Sequence, residues 1–86
     1  MKAIKFVVAV VYNGITRPLE VQPEEQTQAL LSRAVALFGI QQGGHLLSLF
    51  TPDNVEIADN QSIEKSGITA DETLLLRPST VRGGQQ

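Results

Sequence analysis

The sequence predicts an α+β domain, with one main helix packed across a mixed sheet of four to five strands. Three observations carry that prediction. A β-branched opening, Ile4 to Tyr12, meets Asn13-Gly14 and returns as Ile15 to Val21, the pattern of a hairpin. One longer segment, Thr27 to Phe38, repeats its apolar residues at spacings of three and four. Three short apolar runs follow it, Leu46 to Phe50, Val55 to Ile57 and Thr73 to Arg77. A single helix with one apolar stripe must cover one face of a sheet to hide that stripe.

The first strand is apolar at both parities, so its facing is set by the turn. Asn and Gly both tolerate positive φ, which a two-residue turn requires. Such a turn pairs Tyr12 with Ile15, Val8 with Leu19 and Phe6 with Val21. Ile4, Phe6, Val8 and Val10 then point inward and Lys5 outward; the opposite parity would bury Lys5. Pro18 lacks an N–H, so the second strand belongs at an edge or pairs weakly there.

Pro23-Glu24-Glu25-Gln26 reads as a helix entry, with acids placed to meet the positive end of the dipole. The helix starts at Gln26 or Thr27. Leu30, Ala34, Leu37 and Phe38 form its stripe, widened by Leu31 and Val35. Gly39 closes it in the left-handed conformation. Twelve residues span about 18 Å, enough to cross one small sheet.

Gln41 to Gly44 is a loop. In the third strand Leu47 and Leu49 share one face, and Leu46, Ser48 and Phe50 the other. Thr51 to Asn54 is a turn, and Val55-Glu56-Ile57 a short strand. Asp59 to Ser62 begins a brief helical turn carrying Ile63, closed by Lys65-Ser66-Gly67, after which Ile68 packs inward. In the last strand Leu74 and Leu76 face inward, Leu75 and Arg77 outward. The order suits a β-grasp sandwich over residues 1–77, followed by a tail at 78–86.

Composition narrows the function. Eighty-six residues make one domain. Seven basic and nine acidic groups, with no basic run, disfavour nucleic acid. The absence of cysteine excludes a disulfide framework and a thiol nucleophile, and fits a reducing, cytoplasmic compartment. The basic, apolar start reads as a strand and not a signal peptide, because the run ends at Tyr12-Asn13-Gly14 without a small-residue cleavage site. No stretch approaches the ~20 apolar residues of a membrane helix.

The tail, Pro78 to Gln86, has no hydrophobic periodicity and carries Gly83-Gly84. It cannot bury apolar surface, so the expectation is an extended, mobile arm. Two adjacent glycines let another protein close tightly around the backbone. From Arg77 to Gly84 such an arm reaches about 20–25 Å. A frayed terminus is the plain alternative.

Leu19-Glu20-Val21-Gln22-Pro23, Phe38-Gly39-Ile40, Ile57-Ala58-Asp59-Asn60 with Ile63 and Ile68, Thr73-Leu74-Leu75-Leu76 and Val81-Arg82-Gly83-Gly84 stand at the spacing of one known family. Over most of its length the chain resembles ubiquitin and its relatives. The resemblance implies a protein modifier and not an enzyme. In that family the last glycine carboxylate is adenylated by an activating enzyme, which uses ATP. It then passes as a thioester to a cysteine and ends as an isopeptide on a lysine. Here Gln85 and Gln86 would block the carboxylate, implying a precursor trimmed after Gly84. Relatives encoded in bacteria beside activating, conjugating and zinc-dependent JAMM-type peptidase genes look most similar. The chain itself would need no cofactor.

The sequence also departs from ubiquitin. In an ungapped match Ser48 stands where the family's apolar partner patch has its central Ile, and Arg77 takes another patch position. The outward set implied here is Val7, Leu46, Ser48, Leu75 and Arg77, an apolar surface with a basic edge. Arg82 is placed to pair with acidic groups on the activating enzyme.

Other candidates weigh less. His45, the only histidine, reads as a surface or rim residue, because zinc needs three or four ligands. Glu24-Glu25 and Asp71-Glu72 are adjacent acids, which mark turns and helix starts more often than acid–base pairs. Asp53 and Asp59 look like turn and cap residues. Gly43-Gly44 lacks the Lys-Ser/Thr of a phosphate loop. Two further functions stay open: a non-covalent β-grasp adaptor with an idle tail, and a sulfur carrier ending in a thiocarboxylate.

Overall fold

The computed structural model describes residues 5–41, 43, 46–58 and 60–79. Strands β1 (Phe6–Tyr12), β2 (Ile15–Val21), β3 (Leu47–Phe50) and β4 (Thr73–Pro78) form one sheet in the order β2-β1-β4-β3. The central pair β1 and β4 is parallel and both outer pairs are antiparallel. Helix α1 (Thr27–Leu37) packs on one face, and a short helix, α2 (Ile63–Ser66), precedes β4.

The first hairpin takes the register set by its turn. Asn13 and Gly14 have φ of 55° and 81°, and Tyr12 pairs with Ile15, Val8 with Leu19 and Phe6 with Val21. Both central residues are left-handed, which matches the twist of the flanking strands. Val8 and Val10 are fully buried, Phe6 is half-buried against the core, and Lys5 is exposed. Ile4 lies outside the described residues.

Pro18 sits opposite Ala9, whose N–H points away from β2 to the Glu72 carbonyl at 2.9 Å. The alternation of an antiparallel ladder therefore turns the Pro18 nitrogen toward the free edge, where no ladder bond is lost.

The core lies between sheet and helix. Leu30, Leu31 and Ala34 of α1 meet Val8, Val10, Leu49, Leu74 and Leu76, and Ile57, Ile63 and Ile68 close one end. Leu37 corrects the predicted stripe, since it is exposed. At about 100° per residue it falls on the flank of a stripe centred on Thr27, Leu31 and Ala34, and Phe38 falls nearer the middle. Phe38 is half-buried, 5.5 Å from the Tyr12 ring, with the Arg17 guanidinium on it. Gly39 follows with φ of 67°, as a left-handed helix exit requires.

The helix starts at Thr27, directly after the Pro23-to-Gln26 entry, with Gln26 at its N-cap. The first turn of α1 holds no acid. Glu25 instead makes an ion pair with Arg33 at 2.7 Å, and Arg33 also donates to the Glu20 carbonyl at 2.5 Å. Thr27 anchors the helix start: buried, its Oγ1 donates to the Ala58 and Gln61 carbonyls at 2.6 and 3.1 Å, and its N–H to Gln61 at 2.8 Å. Ser62 caps α2 by accepting from the Lys65 N–H at 3.2 Å, and Gly67 ends it with φ of 84°. Asp59 lies outside the described residues. The 55–57 segment bridges β3 at Phe50–Glu56, with the Ile57 N–H on the Leu49 carbonyl at 2.8 Å.

Candidate functional site

Strand alternation divides β4 cleanly. Leu74 and Leu76 enter the core, while Leu75 and Arg77 stand on the outward face beside Ser48 and Phe50 of β3. Val7 of β1, Ser48 of β3 and Leu75 and Arg77 of β4 share that face by alternation, while Leu46, expected within the third strand, precedes β3 in a turn; the members differ sharply in exposure. Val7 is 46% exposed and Leu46 40%, whereas Leu75 is half-buried. Arg77 is exposed but engaged: its guanidinium lies 4.8 Å from the centre of the Phe50 ring and bonds Asn54 Oδ1.

Ser48 corrects the expectation of an accessible partner residue, being only 1% exposed. The register explains why. Arg77 is its direct neighbour across the β3–β4 ladder. On its other side the 55–57 segment brings Glu56 to the same face. Ser79 follows β4, with its N–H on the Leu46 carbonyl at 2.8 Å. Ser79 Oγ donates to Glu56 Oε2, so the two side chains meet across β3, over Ser48. Among the described residues Ser48 Oγ has no hydrogen-bond partner. A buried unpaired hydroxyl costs about 1–3 kcal/mol.

The strand also runs further than expected. β4 includes Pro78, paired with Leu47, and Ser79 is 4% exposed. Residues 78 and 79 therefore belong to the sheet and not to a free tail. The proline is accommodated because it stands at the strand end. Arg82, Gly83, Gly84, Gln85 and Gln86 lie outside the described residues, as does His45.

Sequence reasoning missed Glu56, Ser79, Asn54 and Phe50. Phe50 was the legible one, since its place beside Arg77 follows from the two strands. The acid pairs do structural work. Asp71 takes φ of 64° in a turn, and Glu72 accepts from the Thr69 N–H at 2.9 Å. An open groove lined by Lys5, Glu20, Gln22, Glu24, Glu25 and Arg33 carries both signs of charge. Among the described residues no three His, Cys, Asp or Glu gather as metal ligands, and no helix is long and apolar enough to cross a membrane.

No protein-family model matches the chain, and none of the curated proteins does. Solved structures do. A de novo designed protein based on ubiquitin superposes with a TM-score of 0.77 at 18% identity, over 94% of this chain and 96% of that one. The fold is ubiquitin-like. The ubiquitin-like domain of an Arabidopsis thaliana protein gives a TM-score of 0.73 at 17% identity, over 95% of this chain and 85% of that one. ATBAG1, solved in complex with HSP70, gives 0.73 at 16% identity, over 88% of this chain and 41% of that one. At such identities the likeness establishes the ubiquitin-like architecture and leaves function to the residues.

Proposed function

We propose that this ubiquitin-like chain is a protein modifier whose reactive group is the carboxylate of Gly84, uncovered by removal of Gln85 and Gln86. One observation carries the reading: a ubiquitin-like body leads, through a last strand ending beside the start of β3, into Val81-Arg82-Gly83-Gly84. A processing peptidase of the JAMM type adds water across the Gly84–Gln85 amide. An activating enzyme then joins the carboxylate to the AMP of ATP with loss of pyrophosphate. A cysteine thiolate displaces AMP to give a thioester, and a conjugating enzyme passes the acyl group to a lysine amine of a target protein, releasing the thiol. The chain holds no catalytic group of its own in this scheme. Val7, Leu46, Leu75 and Arg77 supply the face that partners touch, and Arg82 the charge beside the glycines. A bacterial operon encoding these enzymes, acting in the cytoplasm, is the setting this chemistry fits.

Expression of an N-terminally tagged chain in its source cells, followed by intact mass and adduct analysis, tests the reading. Wild type is expected to lose the mass of two glutamines and to appear in larger covalent species. Gly84→Ala is expected to keep the wild-type melting temperature and to lose trimming or transfer. A chain that always retains Gln85-Gln86 and never forms adducts would falsify the proposal. The likeness to ATBAG1 favours a second reading, a non-covalent adaptor, because that neighbour was solved in complex with HSP70. Deleting residues 81–86 separates the two: an adaptor keeps its binding and a modifier loses its function.

A further inference from the structure

The end of β4 is fastened more tightly than strand pairing requires. Besides one ladder bond that continues the β3–β4 pairing, two side chains on its outward face reach β3 or cross it. Arg77 covers the Phe50 ring and bonds Asn54 in the turn beyond. The Ser79 N–H meets the Leu46 carbonyl at 2.8 Å. Ser79 Oγ meets Glu56 Oε2 at 2.5 Å, in the range of a hydroxyl donating to a carboxylate. Glu56 stands 23 positions away in sequence, on the segment flanking the opposite side of β3. Strand β3 is thus held between the 55–57 segment and the chain end, with the fully covered Ser48 beneath the bond.

We infer that Glu56 is a positioning residue: by clasping Ser79 it fixes where the C-terminal arm leaves the body. The purpose of the clasp rests on the modifier reading above, but its existence does not. With Ser79 held, five residues, Thr80 to Gly84, separate the body from the reactive carboxylate. They span at most about 17 Å, so a partner's active site must come that close to the sheet. With Ser79 released, Pro78 still pairs with Leu47 at the end of β4; the arm gains one residue, about 3.5 Å of reach, and its direction is no longer fixed by the bond to Glu56. The same clasp keeps the Ser79 hydroxyl and the Ser48 face away from partners while it is closed.

Amide exchange on the full-length chain tests the clasp directly. In Glu56→Ala the Ser79 amide is expected to exchange at least tenfold faster than in wild type. The Leu49 and Leu76 amides are expected to change by less than twofold, and Glu56→Gln, which keeps an acceptor, to restore most of the protection. Ser79 exchange within twofold of wild type in Glu56→Ala overturns the inference. If Glu56→Ala does not fold, Ser79→Ala decides in its place by the same two thresholds, since it removes the hydroxyl at the strand end and leaves the core intact. In source cells, Glu56→Ala is expected to slow removal of Gln85-Gln86 at least threefold at an unchanged melting temperature, with recovery in Glu56→Gln. Faster exchange with unchanged trimming would leave a clasp that positions nothing. If wild type itself is never trimmed, the modifier reading fails while the exchange result still decides the clasp.

Discussion

The two faces of the sheet are covered by different means. The inward face is closed by α1 almost wholly with apolar side chains, and Leu74, Val8 and Val10 are fully buried there. The outward face is closed only over β3, where Arg77, Glu56 and Ser79 lie across Ser48 and Phe50. Over β1 it remains open, with Val7 exposed and Ala9 and Val11 half-buried. The first cover works by removing hydrocarbon from water and needs no particular partner geometry. The second depends on directed bonds between residues far apart in sequence, each worth little net once solvation is counted. Hence the inward cover should carry the stability and the outward one the geometry of the chain end.

A pair of neighbours on β4 offers the sharpest way to break that division. Leu74→Ala removes a wholly buried side chain and is expected to cost about 2–4 kcal/mol in denaturant unfolding. Leu75→Ala, one residue on and half-buried on the other face, is expected to cost less than about 1 kcal/mol by the area it exposes. Equal losses would mean that the outward face is as much a core as the inward one.

Thr27 is a polar exception inside the inward layer. Thr27→Val keeps the shape of the side chain and removes the hydroxyl that holds the Ala58 and Gln61 carbonyls. The expected loss is about 1–2 kcal/mol, measured by thermal or urea unfolding. The loss is bounded because Ala58 is exposed, so water can replace the missing donor at that carbonyl. A loss near zero would show that the helix start is held by the backbone bond from Thr27 to Gln61 alone.

These contrasts also explain what could be read in advance. The hairpin register follows from Asn13-Gly14, because a two-residue turn leaves only one pairing and one facing. The inward residues of β1, β3 and β4 follow from alternation once the facing is set. Alternation places Ser48 outward just as correctly, but outward is not the same as exposed. Its cover comes from Glu56 and Ser79, which no local pattern brings together. The anchoring of Thr27 was hidden for the same reason, since its partners lie 31 and 34 residues away. Glu25 looked like a helix-dipole residue because its neighbours in sequence suggested one. Its actual partner, Arg33, is eight positions on, across two turns of α1.

The smallest expected effect has the opposite sign, and it sharpens the comparison most. Ser48 Oγ is buried without a partner among the described residues, so the outward cover closes over a group that resists burial. Ser48→Ala deletes that hydroxyl and changes little else, because a methyl group fits within the space of a hydroxymethyl. Removing an unsatisfied buried polar atom should therefore stabilise the chain by up to about 1 kcal/mol, seen as a higher unfolding midpoint at constant m-value. The gain should vanish when Ser79→Ala is added, since an open clasp lets water reach the Ser48 hydroxyl and relieves the same cost. A loss of more than about 1 kcal/mol in Ser48→Ala alone would mean that the hydroxyl is satisfied, and that β3 is covered without strain.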